Sequence, residues 1–133
     1  MLLDLVPPAR RVVLAEDDDE MRSLVAHALR AAGAAVEEVA SGGDLLARML
    51  SALDAGATMP DVVVSDVRMP GTSGLEVLRE LRRRGCEVPV VLLTGFGDAD
   101  LHEEVRAFGH ARLFDKPFDL DDLLGLVRAP ELP

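Results

Sequence analysis

Residues 61–74, DVVVSDVRMPGTSG, decide the fold. Val62-Val63-Val64 is an unbroken β-branched run without polar alternation, the pattern of a strand covered on both faces. Ser65 and Asp66 close the run, Pro70-Gly71 marks a turn, and Leu75, Leu78 and Leu81 then recur at helical spacing. A strand buried on both sides, a turn and a helix make one βα unit of a parallel sheet.

The same unit repeats in both directions. Val12-Val13-Leu14-Ala15, Val36 to Val39, Val90-Val91-Leu92-Leu93 and Leu113-Phe114 predict four more strands. The runs at 12–15 and 90–93 are continuously apolar. The run at 36–39 carries Glu37 and Glu38, and that at 113–114 follows Arg112, so these two belong at the edges. Met21, Leu24, Val25, Ala28, Leu29 and Ala32 form one helical core stripe, Leu45, Met49 and Leu53 a second, and Leu120, Leu123, Leu124 and Val127 another. Between Asp98 and Phe108 the stripe thins to Leu101, Val105 and Phe108, which predicts a loosely held helix. Gly33, Gly85 and Gly109 follow helical patterns where a left-handed cap is common. Right-handed crossovers and two mixed edges predict an α/β fold: a five-stranded parallel sheet in the order 2-1-3-4-5, flavodoxin-like, with helices on both faces. The domain is expected over residues 11–128, between tails at 1–10 and 129–133, with residues 53–60 a surface loop.

Composition narrows the function classes. The 133 residues fit one domain. A formal net charge of −10 argues against direct nucleic-acid binding, which needs Lys and Arg to neutralise phosphates. No apolar run approaches the roughly 18 residues of a membrane span. The start, MLLDLVPPAR, is broken by Asp4 and Pro7-Pro8 and lacks the pattern of a secretory signal, and Cys86 stands alone, so a cytoplasmic location is expected. Of fourteen basic residues only Lys116 is lysine.

Polar groups with chemistry sit where strands stop. Glu16-Asp17-Asp18-Asp19 follows the first strand, Asp66 ends the third, Thr94-Gly95 follows the fourth, and Lys116-Pro117 follows the fifth. Each has a plain alternative: Asp18 or Asp19 as a helix cap, Asp66 as a turn residue, Thr94 as a strand-end residue, Lys116 as a surface side chain. In an open parallel sheet, however, carboxyl ends share one rim, and ligands bind there at the switch point between the first and third strands. Glu16, Asp17 and Asp66 brought together would repel unless a cation joined them, and clustered hard oxygens suit Mg²⁺. An aspartate beside such an ion, with a hydroxyl and an ammonium facing it, is equipped to accept a phosphoryl group. Gly95-Phe96-Gly97 is followed by no lysine and no phosphate-binding P-loop occurs, so ATP is not the expected donor.

The segments VVLAEDDDEMR, DVVVSDVRMPGTSGLEVL, VPVVLLTGFGD and FDKPF resemble the receiver domain of two-component response regulators over residues 11–128. That resemblance implies a signalling phosphoacceptor that takes a phosphoryl group from a sensor histidine kinase or phosphotransfer protein and switches a face toward a partner or output domain. It assigns Asp66 as phosphoacceptor, Asp17 as the principal acidic Mg²⁺ ligand with Glu16 beside it, and the Arg68 backbone carbonyl as a further ligand. Thr94 would hydrogen-bond the phosphoryl group, Lys116 would pair with it, the backbone N–H groups of Val67 and Gly95 would contribute, and Lys116-Pro117 resembles a bond often cis in this family.

Two rivals share parts of the site. A haloacid-dehalogenase-type enzyme also uses a strand-terminal aspartate and Mg²⁺, but needs an acid–base aspartate two residues on, where this chain has Arg68. A receiver-like fold that merely binds a partner usually lacks the Asp, the Thr or the Lys, and this chain has all three.

The chain departs from the family pattern in Glu16, which replaces the usual aspartate and would reach the metal through water, and in Leu113, which replaces an aromatic residue. Without that ring, signalling is expected to be read out some other way or less sharply, for example through the helix from Asp98 to Phe108 alone. Arg68 and Phe96 stand where such domains admit an attacking water, and are expected to slow hydrolysis of the acyl phosphate. His27, His102 and His110 read as exposed polar positions. Arg82-Arg83-Arg84 reads as a solvated run complementing a helix dipole. Arg112 and Arg128, with Asp119, Asp121 and Asp122, carry the charges through which a phosphorylation-dependent homodimer would form.

Overall fold

A computed structural model describes residues 9–129. The tails expected at 1–10 and 129–133 lie almost wholly outside the described residues. Ten elements alternate: β1 (Arg11–Ala15), α1 (Asp19–Ala31), β2 (Ala35–Val39), α2 (Gly42–Asp54), β3 (Val62–Asp66), α3 (Gly74–Arg83), β4 (Val90–Thr94), α4 (Ala99–Ala107), β5 (Ala111–Asp115) and α5 (Leu120–Arg128). The strands form one parallel sheet in the order β2-β1-β3-β4-β5, the flavodoxin-like arrangement that the apolar runs predict.

Strand alternation divides the core into two layers. Val13, Ala15, Val63 and Leu92 face α2, α3 and α4, where they meet Leu45, Met49, Leu78, Leu81 and Val105. Val12, Leu14, Val64 and Leu93 face α1 and α5, where they meet Val25, Leu29, Leu123 and Val127. β3 and β4 are buried throughout, as their unbroken runs require, whereas β2 and β5 alternate in exposure. Leu24 departs from the expected core stripe: it is 55% exposed, because the buried arc of α1 centres on Val25, Ala26 and Leu29. The loop after α2 is exposed up to the buried Pro60.

Local signals start and stop the helices. Asp18 caps α1 by accepting from the Met21 N–H at 2.8 Å, with Asp19 and Glu20 in the first turn complementing the positive end of the dipole. Ser73 and Glu76 form a reciprocal capping box on α3. Gly33 and Gly85 take φ of 96° and 78°, as their cap positions require. Register then aligns the rim: Ala15 pairs with Ser65, Asp66 with Leu93, and Thr94 with Asp115.

Candidate functional site

The parallel register sets the carboxyl ends of β1, β3, β4 and β5 side by side, and the rim there collects the sequence-predicted residues. Glu16, Asp17 and Asp66 each offer a carboxylate oxygen within 4.8 Å of the others. Glu16 is 3% exposed and Asp66 8%, while Asp17 is open to solvent. Lys116 reaches across from the end of β5, its Nζ 2.7 Å from Asp66 Oδ1 and 3.2 Å from Glu16 Oε1. The Lys116-Pro117 bond is cis.

Burial raises the Glu16 carboxyl to about 7, reinforced by the charge of Asp66 and only partly offset by Lys116. For Lys116, burial pulls the ammonium down, but its hydrogen bond to Asp66 and the charges of Asp66 and Glu16 outweigh burial and leave it raised. The site thus holds one firmly protonated ammonium against a carboxylate cluster whose most buried member resists ionising. Glu16 Oε2 is buried without a hydrogen-bond partner. A buried carboxylate oxygen of this kind is costly unless something joins it. Three carboxylates with an all-oxygen donor set and one orphaned oxygen fit a hard divalent cation. The loop carrying Glu16 is fixed from α1, since Arg22 donates to the Glu16 carbonyl at 2.8 Å.

Thr94 is 2% exposed at the end of β4, and its Oγ1 accepts from the Phe96 N–H at 3.2 Å. Its carbonyl accepts from the Lys116 N–H at 2.6 Å, which ties the loop after β4 to the base of the lysine. The Val67 N–H, expected to contribute to the site, points here into the sheet. That N–H donates to the Leu93 carbonyl at 2.8 Å, because the β3–β4 pairing continues one residue past Asp66. The Arg68 guanidinium lies over the Phe96 ring, 5.2 Å from its centroid, so the loops after β3 and β4 meet at the rim through a cation–π contact. Phe96 is 75% exposed.

Two glycines keep the loop after β3 close to its neighbours. At Gly74 a Cβ would collide with the Asp66 carbonyl, and at Gly42 with the Thr72 carbonyl, so both helix N-termini abut the segment that carries Asp66.

Sequence reasoning missed two residues. Arg82 is not a solvated member of its basic run: its guanidinium donates to the carbonyls of Cys86 (2.7 Å), Val88 (2.8 Å), His110 (3.0 Å) and Gly109 (3.1 Å), joining α3 to the starts of β4 and β5. His102 is half-buried, with Nε2 2.8 Å from Asp115 Oδ2. His27 and His110 are exposed as expected.

An open parallel sheet with an acidic cluster and a facing lysine at its switch point defines a flavodoxin-like α/β domain with a polar site on its rim. Comparison with known proteins narrows this. Residues 12–128 match the family model for the response regulator receiver domain, and the chain belongs to that family. The chain is 38% identical over 125 residues to the transcriptional regulatory protein FixJ of Azorhizobium caulinodans, covering 93% of this chain and 56% of that protein. It is 39% identical over 118 residues to the C4-dicarboxylate transport transcriptional regulatory protein DctD of Pseudomonas aeruginosa, covering 89% and 24%. The chain therefore spans about half or less of the curated relatives it matches. Among solved structures it is similar to the chemotaxis response regulator CheY4 of Vibrio cholerae, with a TM-score of 0.75 and 29% identity over 92% of this chain and 98% of that one. Receiver domains are signalling domains of two-component response regulators. Among the described residues, no helix is long and apolar enough to cross a membrane.

Proposed function

We propose that this chain is a phosphoacceptor: it takes a phosphoryl group onto Asp66 from the phosphohistidine of a sensor kinase or phosphotransfer protein, and thereby switches a surface that meets an output domain or partner. The observation that carries the reading is the placement of Lys116 Nζ 2.7 Å from Asp66 Oδ1 beside the Glu16–Asp17–Asp66 cluster.

A carboxylate oxygen of Asp66 forms a P–O bond as the donor's P–N bond breaks, and the imidazole nitrogen leaves with the electron pair. Lys116 faces the transferred group as a fixed cation, its protonated state secured by the same carboxylates it pairs with. Thr94, at the neighbouring strand end, supplies a hydroxyl donor. Glu16, Asp17 and Asp66, with the Arg68 backbone carbonyl, would hold Mg²⁺. When bound, the ion neutralises charge on the phosphoryl oxygens. Glu16 reaches from a buried position where the family pattern has aspartate, and its orphaned oxygen supports a role in holding the ion. Arg68 at the position of a dehalogenase-type acid–base aspartate leaves no proton donor for an ester leaving group, so the chain catalyses only its own phosphorylation and dephosphorylation. The functional unit is residues 11–128 and works in the cytoplasm. A homodimer formed on phosphorylation would use Arg112 and Arg128 against Asp119, Asp121 and Asp122.

The test is incubation with acetyl phosphate and Mg²⁺ followed by intact-mass measurement. One phosphoryl adduct is expected on the wild type and none on Asp66→Asn. No adduct on the wild type, or an equal adduct on the variant, defeats the reading.

A further inference from the structure

Glu16 is the most buried member of the acidic cluster, and its backbone is held from both sides. Its N–H donates to the Val39 carbonyl at the end of β2 at 3.2 Å, and its carbonyl accepts from Arg22 Nη1 at 2.8 Å. Peptide units are planar, so fixing the two that flank a Cα fixes φ and ψ there, and with them the direction in which Cβ leaves. The second of these units also carries the N–H of Asp17, so the same bond orients the next carboxylate. Arg22 lies in the first turn of α1, and its side chain is 18% exposed. Its planar fork meets three acceptors at once: Nη1 the Glu16 carbonyl, Nη2 Asp19 Oδ1 at 2.7 Å, and Nε Glu38 Oε1 on β2 at 3.6 Å. Glu38 is held in turn by Arg30, whose Nη1 lies 2.9 Å from Oε2.

We propose that Arg22 is a positioning residue for the metal: by holding the peptide between Glu16 and Asp17 it aims both carboxylates toward Asp66 and sets the affinity of the site for Mg²⁺. This rests on the reading of Glu16, Asp17 and Asp66 as the residues that hold the ion. Glutamate makes the clamp matter more than aspartate would. Its side chain has one more rotatable bond, so a mobile backbone beneath it would spread the carboxylate over a larger volume. Partners that orient metal ligands commonly change affinity by about tenfold or more. The charge of Arg22 acts in the opposite sense, because a cation near the cluster repels Mg²⁺. Removing the guanidinium therefore separates the two roles by sign: lost positioning weakens the binding of the ion, whereas lost repulsion alone strengthens it.

The experiment is a Mg²⁺ titration of the whole unphosphorylated chain, followed by the amide NMR shifts of residues 15–18 and 66–68, in wild type, Arg22→Met and Arg30→Met. Arg22→Met should bind Mg²⁺ about tenfold more weakly than wild type. Arg30→Met severs the ties of α1 to Glu38 and to the Val36 carbonyl but leaves the Glu16 carbonyl its donor, and should stay within about twofold of wild type. Equal or tighter binding in Arg22→Met would overturn the proposal, leaving Arg22 only its charge. Equal weakening in Arg30→Met would overturn it too, leaving only a general tie between α1 and β2. Should circular dichroism show Arg22→Met unfolded, Arg22→Lys decides. It keeps the charge, but a single ammonium cannot span the three acceptors, so about threefold weaker binding is expected and an unchanged affinity would overturn the proposal. A wild type that binds no Mg²⁺ would instead defeat the reading of the acidic cluster as a metal site, and this proposal with it.

Discussion

α3 and α4 pack on the same face of the sheet and follow the two strands that end in Asp66 and Thr94, yet they are held very differently. α3 buries Gly74, Val77, Leu78 and Leu81, starts in a reciprocal capping box, and is fastened at its far end by Arg82 to four carbonyls. α4 fully buries only Val105, with Leu101 and Phe108 packed partly against the core, has an Asp98 cap, and meets β5 through the His102–Asp115 contact. The contrast teaches how one face of a small domain can fasten two helices by different means. On the phosphoacceptor reading proposed above, Asp66 needs the anchored loop that α3 provides, because the geometry around a phosphoryl group tolerates little error.

The sharpest way to break this comparison is to truncate one core residue on each helix. Leu78→Ala should lower the unfolding free energy by about 3 kcal/mol, whereas Val105→Ala should cost about half as much. Urea titration followed by circular dichroism measures both, since the chain has no Trp or Tyr. Equal losses would mean that α4 is as firmly seated as α3.

A smaller effect concerns the site on the rim at the strand ends. Glu16 has a folded-state value of about 7 against an ordinary value of 4.5, so as pH rises the unfolded chain releases its proton first. The metal-free fold therefore loses stability as pH climbs from about 4.5 through about 7, and below that window the group contributes no difference. Glu16→Gln cannot ionise and should be more stable than wild type by about 1–2 kcal/mol near pH 8, with the gap closing at low pH. Parallel stability profiles for the two proteins across this range would show that burial of Glu16 does not oppose its charge.

The smallest expected effect lies where the loop after β3 touches the loop after β4. Arg68 follows β3 and Phe96 follows β4, and an exposed cation–π contact contributes about 0.5–1 kcal/mol. Phe96→Ala should shorten the lifetime of the acyl phosphate by about twofold to fivefold, read as loss of the intact-mass adduct over time. An unchanged or longer lifetime would remove Arg68 and Phe96 from any role in shielding the site.

Much of this architecture was legible in the sequence, and the reasons for the exceptions are physical. Continuous valine runs against mixed ones separated the central strands from the edges, because only a strand covered on both faces excludes charge. Four polar groups ending four strands announced a shared rim, because a parallel sheet brings carboxyl ends together whatever their separation in sequence. Periodicity alone did not fix where the buried arc of α1 is centred, so Leu24 looked like core. Three adjacent arginines look alike until tertiary structure sends one of them, Arg82, onto carbonyls just before β4 and β5. His102 and Asp115 lie thirteen positions apart on different elements, and only the fold makes them neighbours.

Lys116, the sole lysine of the chain, has a consequence for handling the protein. Amine-directed reagents have one side chain to modify, and that amine lies in the site, three-quarters covered and paired to Asp66 and Glu16. The same carboxylates raise its proton affinity, so the uncharged, nucleophilic amine is scarcer there than on a free lysine. No other side chain carries a competing ε-amine. Lysine coupling is therefore a poor way to immobilise the domain, since its one side-chain target lies against Glu16 and Asp66.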